Sequence, residues 1–500
     1  MRKATLVATL AAPPSPEGTE LAALSPHAEW LEVRRDLCGD DISPDWLRQH
    51  FKGRLIYTLR SRAEGGRASA SASEREPLLT YAAKGYDLVS LEGARDLSDK
   101  LLAAIPASKR LVSWHGAAAG VAEMRDRFEQ LASVPAFLYQ LVPTALRSGD
   151  ECAPLSLLNS LQRADVVMFA DGATGFWSRM VAARFGAPFV FGAISNEHRT
   201  GCEPTVRQLV EDYGMPELMP LKELYGIVGN PVAHSLSPRL HNAAYRYLQH
   251  PALFVPFHVE SFADFWREVV TGGALDALGI TVRGLTVSSP HKEAALETVE
   301  QRSPMVRRAG STNIFVRHNG HWEADTTDPQ SVLQTTLERG IDIRHKRVAV
   351  VGCGGAGRAI AAALDGAGAN VTIVNRGRER AEHAVELLHL PFVPLSEFSA
   401  EGFSMVVNAT PVGRDDHNQP FEVEGLNENG VVVDLVYGAE PTPLVSRAQA
   451  LGHTAIDGRD VLLAQVLRQF HLMTGKELSV TLARAKLGYE VEDLELIVAG

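Results

Sequence analysis

Short apolar runs recur along the first two hundred or so residues of the chain, and amphipathic stretches such as VAEMRDRFEQLA lie between them. The runs are rich in β-branched and aromatic residues and predict β-strands, whereas the stretches between them have helical spacing. The predicted strands are Thr5–Leu10, Trp30–Arg34, Arg54–Arg60, Asp87–Glu92, Arg110–His115, Ala136–Val142, Asp165–Ala170 and Pro188–Ile194. Eight strands that alternate with helices predict a (β/α)8 barrel of the TIM type. A doubly wound open sheet is the alternative, although its strand count is usually lower.

Charged side chains fall at or just beyond the carboxyl ends of these predicted strands, where barrels of this type carry their chemistry. Each of them, taken alone, is more often part of a structural ion pair than of a catalytic site. As a set of arginine, glutamate and histidine on one rim, they predict a site for a small carboxylated and hydroxylated substrate. The candidate residues of this site are Glu32, Arg34, Arg60, His115 and Arg179.

The pattern changes after a proline-bearing linker at residues 214–221. A predicted strand, YGIVG, leads to Ser235 and Ser237, and Pro238 then predicts the start of a helix after a serine cap. Farther on, the strand-like run LTVSS is followed by Pro290, by Lys292 and by a helix-forming tail. The simple interpretation of the first segment is a capping loop, and that of the second is a solvated lysine. The second interpretation leaves the Lys292 cation near a helix N-terminus, where the helix dipole disfavours a positive charge.

A glycine-rich turn follows the buried run RVAVV and precedes a helix-forming run. This strand–turn–helix context predicts a dinucleotide site that is formed by Gly352, Gly354, Gly355, Ala356 and Gly357. The next predicted strand ends at Asn375, where an NAD site usually has an acid; Arg376 and Arg380 follow instead. Guanidinium groups without an acid favour the 2′-phosphate of NADP.

Three later segments carry further candidates. Thr410 lies in the loop of NATPVG after a predicted strand, and Tyr437 ends the strand-like run VVVDLVYG. Gln465 lies among apolar residues on a predicted amphipathic helix, Asp457–Gly475. It is either a satisfied core residue or a polar group that reaches a ligand.

Composition narrows the possible partners and compartment. The net charge of −11 argues against a nucleic-acid or anionic-membrane partner. The four cysteines have no metal-binding spacing, so we expect a reducing compartment and no metal site. The N-terminus weakly imitates a signal peptide, but a first β-strand is the preferred interpretation, and no apolar run is long enough to span a membrane. We therefore expect a cytoplasmic protein, with its oligomeric state left open.

The first half resembles type I 3-dehydroquinate dehydratase in EVR, TLRxxxEGG, SWH and the later SR, over roughly residues 4–210. The resemblance implies that arginines bind the substrate, that His115 is a general acid/base, and that a lysine on strand six forms a Schiff base. This chain has Tyr139 and Gln140 on strand six and no lysine there. The other lysines of this half either precede strands or lie in a helix: Lys3, Lys52, Lys84, Lys100 and Lys109. We therefore expect a degenerate barrel that lacks the iminium-forming amine.

The second half closely resembles shikimate dehydrogenase from residue 223 onward. Nine motifs occur in the family order: GNPVAHSLSPRLHN, LTVSSPHKEAA, AGSTNI, DTTD, VGCGGAGRA, NR, NATPVG, DLVYGxxPTPL and DGRDVLLAQ. Thr286, Ser288 and Thr326 depart from the usual family residues by small polar changes, which bear on substrate preference more than on reaction type.

This resemblance implies a role for each matching residue. Lys292 and Asp328 are the expected catalytic pair. The expected substrate ligands are Ser235 and Ser237 for the carboxylate, Ser288, Asn313 and Gln465 for ring hydroxyls, and Tyr437 near the ligand. The expected domains are a barrel at 1–218, a substrate-binding domain at 223–327 plus 460–500, and a Rossmann NADP-binding domain at 328–459.

The sequence thus predicts an NADPH-dependent shikimate dehydrogenase of aromatic amino acid (chorismate) biosynthesis, fused to a degenerate dehydratase-like barrel. One alternative is a fully bifunctional dehydratase/dehydrogenase with a displaced catalytic group. Another is a quinate/shikimate dehydrogenase that uses NAD, which Asn375 and Arg376 disfavour. A third is a non-catalytic sensor of shikimate-type ligands and NADP, against which Lys292 and Asp328 argue.

Overall fold

The computed structural model of the protein describes residues 2–39, 42–117, 120–414, 416–438 and 440–490. Residues 491–500, the end of the predicted substrate-binding domain, lie outside the described residues. The chain divides into two compact units, residues 1–225 with 231–282, and residues 226–230 with 283–500. In the described part, no helix combines the length and the apolar character that crossing a membrane requires.

The first unit contains a nearly closed barrel of eight parallel strands. In chain order these are β1 Thr5–Leu10, β2 Trp30–Arg34, β3 Arg54–Thr58, β4 Leu88–Glu92, β5 Arg110–Ala117, β6 Leu138–Thr144, β7 Val166–Met168 and β8 Phe189–Ala193. Their spatial order is β7-β6-β5-β4-β3-β2-β1-β8, and β1 pairs in parallel with both β2 and β8. Among the described residues no ladder joins β7 to β8. The predicted TIM-type barrel is confirmed, with β6 displaced two residues toward the C-terminus relative to the prediction.

Helices connect the barrel strands. They are Thr19–Leu24, Arg35–Cys38, Pro44–His50, Ala72–Gly85, Asp99–Ala104, Val121–Ala132, Cys152–Leu161, Gly172–Gly175, Ser178–Phe185 and Val206–Glu211, with short 3-10 turns at Arg62–Glu64, Ala107–Lys109 and Asn196–His198. A two-residue strand, Arg2–Lys3, pairs antiparallel with Glu217–Leu218. The barrel strands are almost entirely buried, because helices cover the outside and side chains fill the inside.

A second sheet has six strands. Their spatial order is Ala252–His258, Glu223–Gly229, Thr281–Val287, Ile314–His318, His321–Asp325 and Gln301–Arg302. The helical segments that accompany it are Ser237–Tyr247, Phe262–Phe265, a π-helical turn at Trp266–Val270, Ala274–Ala277, a 3-10 turn at Ala294–Thr298, and Pro304–Ala309. The antiparallel hairpin Ile314–Asp325 places Asn313 at the start of one strand and leads directly to Asp328.

The third sheet is a Rossmann-like parallel sheet in the second unit. Its strands follow the spatial order Phe392–Pro394, Asn370–Asn375, Arg347–Val351, Met405–Asn408, Val431–Asp434 and Thr454–Ile456. The surrounding helices are Asp328–Glu338, Gly355–Gly366, Arg378–Leu388, Pro443–Ala450, Gly458–Thr474 and Val480–Lys486, with a 3-10 turn at Leu395–Glu397. The sheet order, 3-2-1-4-5-6 by strand number, places the first strand's carboxyl end at the switch point where dinucleotides bind. Separate buried clusters, one centred on Val350 and the other on Val351, cover its two faces.

Two local predictions differ from the structure. The segment after Lys292 forms a single 3-10 turn, Ala294–Thr298, instead of the predicted helix. The helix near Pro238 begins at Ser237, with Leu236 at the N-cap and no side-chain cap; the Ser237 N–H donates to Ser235 Oγ at 3.2 Å. Ser235 thus accepts from the first N–H of the helix, whereas the N-cap residue itself, Leu236, has no side-chain acceptor.

Candidate active site

A lysine–carboxylate pair lies at the junction of the Lys292 loop and the helix Asp328–Glu338. Lys292 Nζ is 2.5 Å from Asp328 Oδ2, and the lysine side chain is 18% exposed whereas that of Asp328 is 4% exposed. Asp328 is the first residue of its helix, where the helix dipole favours a negative charge. The ammonium group is therefore fixed by a buried carboxylate and still reaches the surface of the site.

Two amides hold the other oxygen of Asp328. Asn313 Nδ2 and Gln465 Nε2 each donate to Asp328 Oδ1 at 2.8 Å. Gln469, one helical turn after Gln465, donates to Thr327 Oγ1 at 3.0 Å. Both oxygens of the carboxylate thus accept hydrogen bonds, and these bonds fix its orientation toward Lys292. The structure brings Lys292, Asp328, Asn313 and Gln465 together.

The glycine-rich turn follows the strand Arg347–Val351 closely. Gly352 has φ +108°, and a Cβ on Gly357 would lie 1.8 Å from Gly352 O. Neither position tolerates a side chain, because the turn is tight and the following helix packs directly against it. The Asn375 side-chain oxygen accepts from the Cys353 N–H at 3.2 Å, which joins the turn to the end of the next strand.

Arg358 joins the glycine-rich turn to the lysine loop. It is 2% exposed and donates to Ala309 O at 2.9 Å and to Cys353 O at 3.1 Å. Its guanidinium also lies 3.1 Å from the carboxylate of Glu293, the neighbour of Lys292. Reasoning from the sequence missed this residue, although the arginine directly after the GxGxxG pattern was a visible signal.

The arginines beyond Asn375 differ in their partners. Arg376 and Arg380 are exposed, and neither forms an ion pair with a described residue. Arg378 instead pairs with Glu382 on its own helix at 2.8 Å. Arg376 and Arg380 therefore remain available to an anionic group at the end of this strand.

The loop that contains Thr410 is held by a buried polar network. Thr410 Oγ1 donates to Asn408 Oδ1 at 2.7 Å, and Asn408 Nδ2 donates to Asp434 Oδ1 at 2.9 Å. Burial raises the pKa of Asp434 to about 6, although Thr442, Val436 and Asn408 all donate hydrogen bonds to it. Tyr437 is half-buried three residues after Asp434. This network fixes the two loops at the carboxyl end of the sheet.

The three serines that were predicted as substrate ligands belong to different compact units of the chain. Ser235 and Ser237 belong to the first unit and are buried. Ser288 belongs to the second unit and is half-buried; its N–H donates to Val228 O at 2.8 Å. The structure thus gives the local setting of each serine.

The barrel contains a charged cavity at the carboxyl ends of its strands. All five barrel residues predicted from the sequence contribute to a lining that consists of Thr9, Glu32, Arg34, Arg60, His115, Gln140, Val142, Phe169, Asp171, Arg179, Phe191, Thr200 and Glu203. Glu32 accepts hydroxyl hydrogen bonds from Thr9 and Thr58 at 2.9 and 2.8 Å. Arg34 forms a two-pronged pair with Asp36. Three guanidinium groups consequently face one cavity.

His115 is paired with a glutamate that was not among the predicted site residues. Glu64 Oε2 lies 3.1 Å from His115 Nδ1 and also accepts the His115 N–H. Burial, with help from the nearby Glu92 charge, raises the pKa of Glu64 to about 8. Burial and the charges of Arg60, Arg34 and Arg179 hold the pKa of His115 well below its usual value. The EGG sequence after Arg60 was the available signal for Glu64.

The lysines of the first half have contacts elsewhere. Lys3 pairs with Glu217 at 3.3 Å, Lys100 pairs with Glu76, and Lys109 Nζ donates to Ala83 O at 2.8 Å. Lys52 Nζ donates to Gln49 O, and Lys84 lies over the Tyr81 ring. None of these five residues is in the cavity lining. Across the described ranges, no cluster of three or more histidine, cysteine or acidic side chains is placed to hold a metal ion.

Comparison with known protein families gives matches along most of the chain. The family model for type I 3-dehydroquinase matches residues 17–219, and that for the shikimate dehydrogenase substrate binding domain matches residues 227–315. The model for the NAD binding domain of D-isomer specific 2-hydroxyacid dehydrogenase matches residues 305–419. The order of the matches follows the order of barrel, mixed sheet and parallel sheet.

The similar proteins match either most of the chain or about half of it. A bifunctional 3-dehydroquinate dehydratase/shikimate dehydrogenase from Arabidopsis thaliana is 25% identical over 480 residues, which are 90% of this chain and 78% of that protein. A shikimate dehydrogenase (NADP(+)) from Thermococcus kodakarensis is 36% identical over 256 residues, which are 50% of this chain and 91% of that protein. A solved shikimate 5-dehydrogenase from Thermus thermophilus in complex with NADP(H) and shikimate is 32% identical, covering 53% of this chain and 97% of that one, with a TM-score of 0.47.

The matches to the two halves support one assignment. The nine motifs that the sequence carries in order, the Lys292–Asp328 pair and the 36% identity over nearly the whole length of a shikimate dehydrogenase agree with one another. The chain belongs to the shikimate dehydrogenase family, in a form that has a type I 3-dehydroquinase domain fused at its N-terminal side.

Proposed function

We propose that this protein catalyses the reversible, NADPH-dependent reduction of 3-dehydroshikimate to shikimate in the chorismate pathway. The observation that carries the proposal is the contact of Lys292 Nζ with Asp328 Oδ2 at 2.5 Å. The glycine-rich turn that follows the first strand of the parallel sheet lies beside this pair. The names of the relatives support it, since both a bifunctional enzyme and NADP(+)-dependent dehydrogenases match the chain. The domain limits 1–218, 223–327 with 460–500, and 328–459 belong to the same proposal.

The chemistry assigned to Lys292 follows from its charge and position. Reduction of a ketone develops negative charge on the carbonyl oxygen, and that oxygen finally takes a proton. Lys292 Nζ supplies this proton, and Asp328 keeps the ammonium in place because it is held by Asn313 and Gln465. In the direction of shikimate oxidation, the neutral amine of Lys292 accepts the hydroxyl proton.

The residues of the second unit fit a dinucleotide. NADPH, when it is bound, supplies the hydride. Gly352 and Gly357 allow the tight turn, and Gly354, where a Cβ would meet no other atom, leaves room for a pyrophosphate at the start of the helix Gly355–Gly366. Gly354, Gly355, Ala356, Asn375 and Thr410 complete the proposed cofactor contacts. Exposed Arg376 and Arg380, without an acid at Asn375, favour the 2′-phosphate of NADP over the free hydroxyl of NAD.

The proposed substrate contacts are those of the family resemblance. Ser235 and Ser237 hold the carboxylate, Ser288, Asn313 and Gln465 contact ring hydroxyls, and Tyr437 lies near the ligand. In the structure, Gln465 donates one hydrogen bond, to Asp328, and keeps its other amide proton and its oxygen for a ligand, whereas both amide atoms of Asn313 are already bonded to Thr327 and Asp328. Gln465 can therefore position the carboxylate and contact the substrate at once, and Asn313 has to exchange one of these bonds to contact a ring hydroxyl.

The test of the dehydrogenase is an absorbance assay of the full chain at the NADPH band. With 3-dehydroshikimate, we expect NADPH consumption to exceed NADH consumption at equal concentrations. Shikimate with NADP should give the reverse reaction. Quinate oxidation with NAD at a higher rate would favour the quinate enzyme, and binding of both ligands without turnover would favour the sensor.

For the barrel, we propose that no Schiff base forms and that the cavity binds a carboxylated ligand. The supporting observation is that the cavity is lined by Arg34, Arg60 and Arg179 and by no lysine. On the sixth strand Gln140 lines the cavity, and an amide cannot form an iminium. His115 with Glu64 remains as an acid/base pair that could support only slow, non-covalent elimination of water.

Borohydride trapping tests the barrel proposal. The Lys292→Ala variant of the full chain is incubated with 3-dehydroquinate and reduced with borohydride, and its intact mass is then measured. The variant removes the dehydrogenase lysine, which could otherwise react with a ketone. We expect no added mass; a stable adduct that maps to a lysine of residues 1–218 would support the fully bifunctional enzyme instead.

A further inference from the structure

A second cavity in the first unit shares no lining residue with the barrel cavity. It lies where the helices Ser178–Phe185 and Ser237–Tyr247 meet the strand Ala252–His258. Its lining consists of Arg184, Tyr213, Glu217, Met219, Asn242, Tyr245, Arg246, Ala252 and Leu253. None of these residues has a part in the proposed function.

Two arginines in this lining lack a carboxylate partner. Arg184 donates one hydrogen bond, from NH1 to Met180 O at 2.8 Å, whereas its Nε is buried and donates to no described residue. Arg246 has no ion pair with a described residue, and its side chain lies across Gly214, where a Cβ would be 2.4 Å from NH1. The two guanidinium groups therefore share the cavity without a contact ion pair to a described residue, although the Glu217 carboxylate also belongs to the lining.

The nearby acids are engaged with other cations. Asp212 Oδ1 accepts from Arg239 Nε at 2.7 Å, and Glu217 Oε1 lies 3.3 Å from Lys3 Nζ. Burial and the neighbouring charge of Arg246 lower the pKa of Arg184 to about 10; burial also lowers the pKa of Arg246, although the charge of Asp212 opposes that shift. Both guanidinium charges are partly removed from water, which is costly unless an anion compensates them.

The neutral polar groups of the lining do not compensate these charges either. Asn242 is fully used by the fold: its Nδ2 donates to Asp212 O and Phe254 O, and its Oδ1 accepts from the Phe254 N–H. Tyr213 is 5% exposed and adds a phenol hydroxyl to the lining. The free space is about 10 Å3, so a single-atom occupant is the most that fits without movement of the side chains.

We propose that this cavity is a binding site for a monatomic anion of the size of chloride, held between Arg184 and Arg246. Guanidinium groups offer only hydrogen-bond donors, so the occupant must be an acceptor. The small volume excludes phosphate, sulfate and organic carboxylates. A bound anion offsets the repulsion between the two arginines and joins the last barrel helices to the first long helix of the chain's second half.

Bromide, which replaces chloride in such sites and scatters anomalously, gives the direct test. Crystals of the full chain are soaked in sodium bromide, and anomalous difference maps are calculated near the bromine absorption edge. We expect a peak within hydrogen-bond distance of Arg184 Nε and an Arg246 nitrogen. Density at that position without an anomalous signal would show a water molecule and would overturn the proposal.

Thermal unfolding gives an independent test in solution. At constant ionic strength, replacement of sodium gluconate by sodium chloride should raise Tm of the full chain by about 2–4 °C, saturating with concentration. Arg184→Gln should remove this chloride-specific rise. Arg207→Gln, which removes an exposed guanidinium of the same unit, should retain it. An equal rise in both variants, or none in the unaltered chain, would overturn the proposal.

Discussion

The Lys292 site and the barrel cavity both gather cations and carboxylates at the ends of strands, yet their chemistry differs. In the former, a lysine ammonium contacts a buried aspartate at 2.5 Å, whereas in the latter all the lining cations are arginines. A lysine can lose a proton and regain it, and its amine can be a nucleophile; a guanidinium does neither at accessible pH. The kind of cation, more than the net charge, therefore limits the chemistry that the cations of each site can perform.

The acid/base groups of the two sites differ as well. The pKa of Glu64 is raised to about 8 by burial, and the pKa of His115 is held well below its usual value by burial and three arginines. Near neutral pH, the barrel pair therefore consists of a neutral acid and a neutral imidazole. At the Lys292 site, by contrast, Lys292 and Asp328 lie at ion-pair distance.

The largest effect is expected from Lys292→Ala. Loss of the proton donor should lower kcat by about 10²–10⁴-fold with little change in substrate affinity, because the substituted group acts on the reacting oxygen. Steady-state kinetics with NADPH and 3-dehydroshikimate measures both quantities. Lys346→Ala, at an exposed position, is the matched control and should keep normal kinetics. Near-normal turnover of Lys292→Ala would contradict the role of Lys292 as proton donor, on which the comparison of the two sites depends.

The next effect concerns the cofactor. Arg376→Ala should raise KM for NADPH about tenfold and leave KM for NADH nearly unchanged, since only NADPH carries the 2′-phosphate that a guanidinium binds. Initial rates with each cofactor give the two constants. Arg344→Ala removes another exposed arginine and serves as the control. Equal use of both cofactors by the unaltered chain would contradict the phosphate-binding role.

A smaller effect is expected when the support of Asp328 is weakened. Gln465→Ala removes one of the two amides that donate to Asp328 Oδ1 and should lower kcat about tenfold. Gln334→Ala, on the helix that begins at Asp328, removes an exposed amide that contacts Glu338 and should have no effect on kcat. If only KM rises in Gln465→Ala, the residue binds substrate and does not position the carboxylate.

The smallest effect is a change in the pH dependence of stability through Glu64. Its folded pKa of about 8 lies above the ordinary value of 4.5, so the folded state binds more protons between these values and its stability falls as pH rises through them. Glu64→Gln cannot ionise, so its stability relative to the unaltered chain should increase by about 1–3 kcal/mol from pH 5 to pH 8.

Denaturant unfolding of both proteins across this pH range measures the difference. The comparison with Glu64→Gln cancels the titration of groups that lie away from Glu64, so that the difference reports this carboxyl together with its direct partner His115. Exposed Glu123→Gln should show a difference that is flat with pH. A flat difference for Glu64→Gln would mean that Glu64 is ionised in the fold, and the barrel pair would then resemble the charged pair at Lys292.

Much of the architecture was predictable because it rests on local patterns. The strands Thr5–Leu10 and Trp30–Arg34 have the predicted bounds, and the helix Gly458–Thr474 lies within the predicted range with Asp457 and Gly475 at its ends. Alternation of apolar runs with amphipathic stretches fixes these elements locally. The short helix-forming tail after Lys292 was misjudged, since a five-residue segment is shaped more by its tertiary contacts than by its composition.

Contacts between distant residues were less predictable. The sequence placed His115 on the barrel rim, but its partner Glu64 is 51 positions away, and the pairing depends on the conformation of the turn Arg62–Glu64. The amides of Asn313 and Gln465 were predicted as substrate ligands. Their hydrogen bonds to Asp328 depend on the fold and could not be predicted from the sequence. Arg184 and Arg246 share a cavity although 62 positions separate them, and no sequence pattern indicates this.

The hydrogen bonds around Asp212 bear on how the chain behaves when it is cut. Arg239 pairs with Asp212 at 2.7 Å, and Asn242 Nδ2 donates to Asp212 O at 3.0 Å, so residues on both sides of the segment 219–222, which includes the end of the linker, are bonded to each other. A protease that nicks this linker would sever one peptide bond and leave those contacts intact. The two pieces should then elute together in gel filtration, and a clean separation into independent halves would need a denaturant.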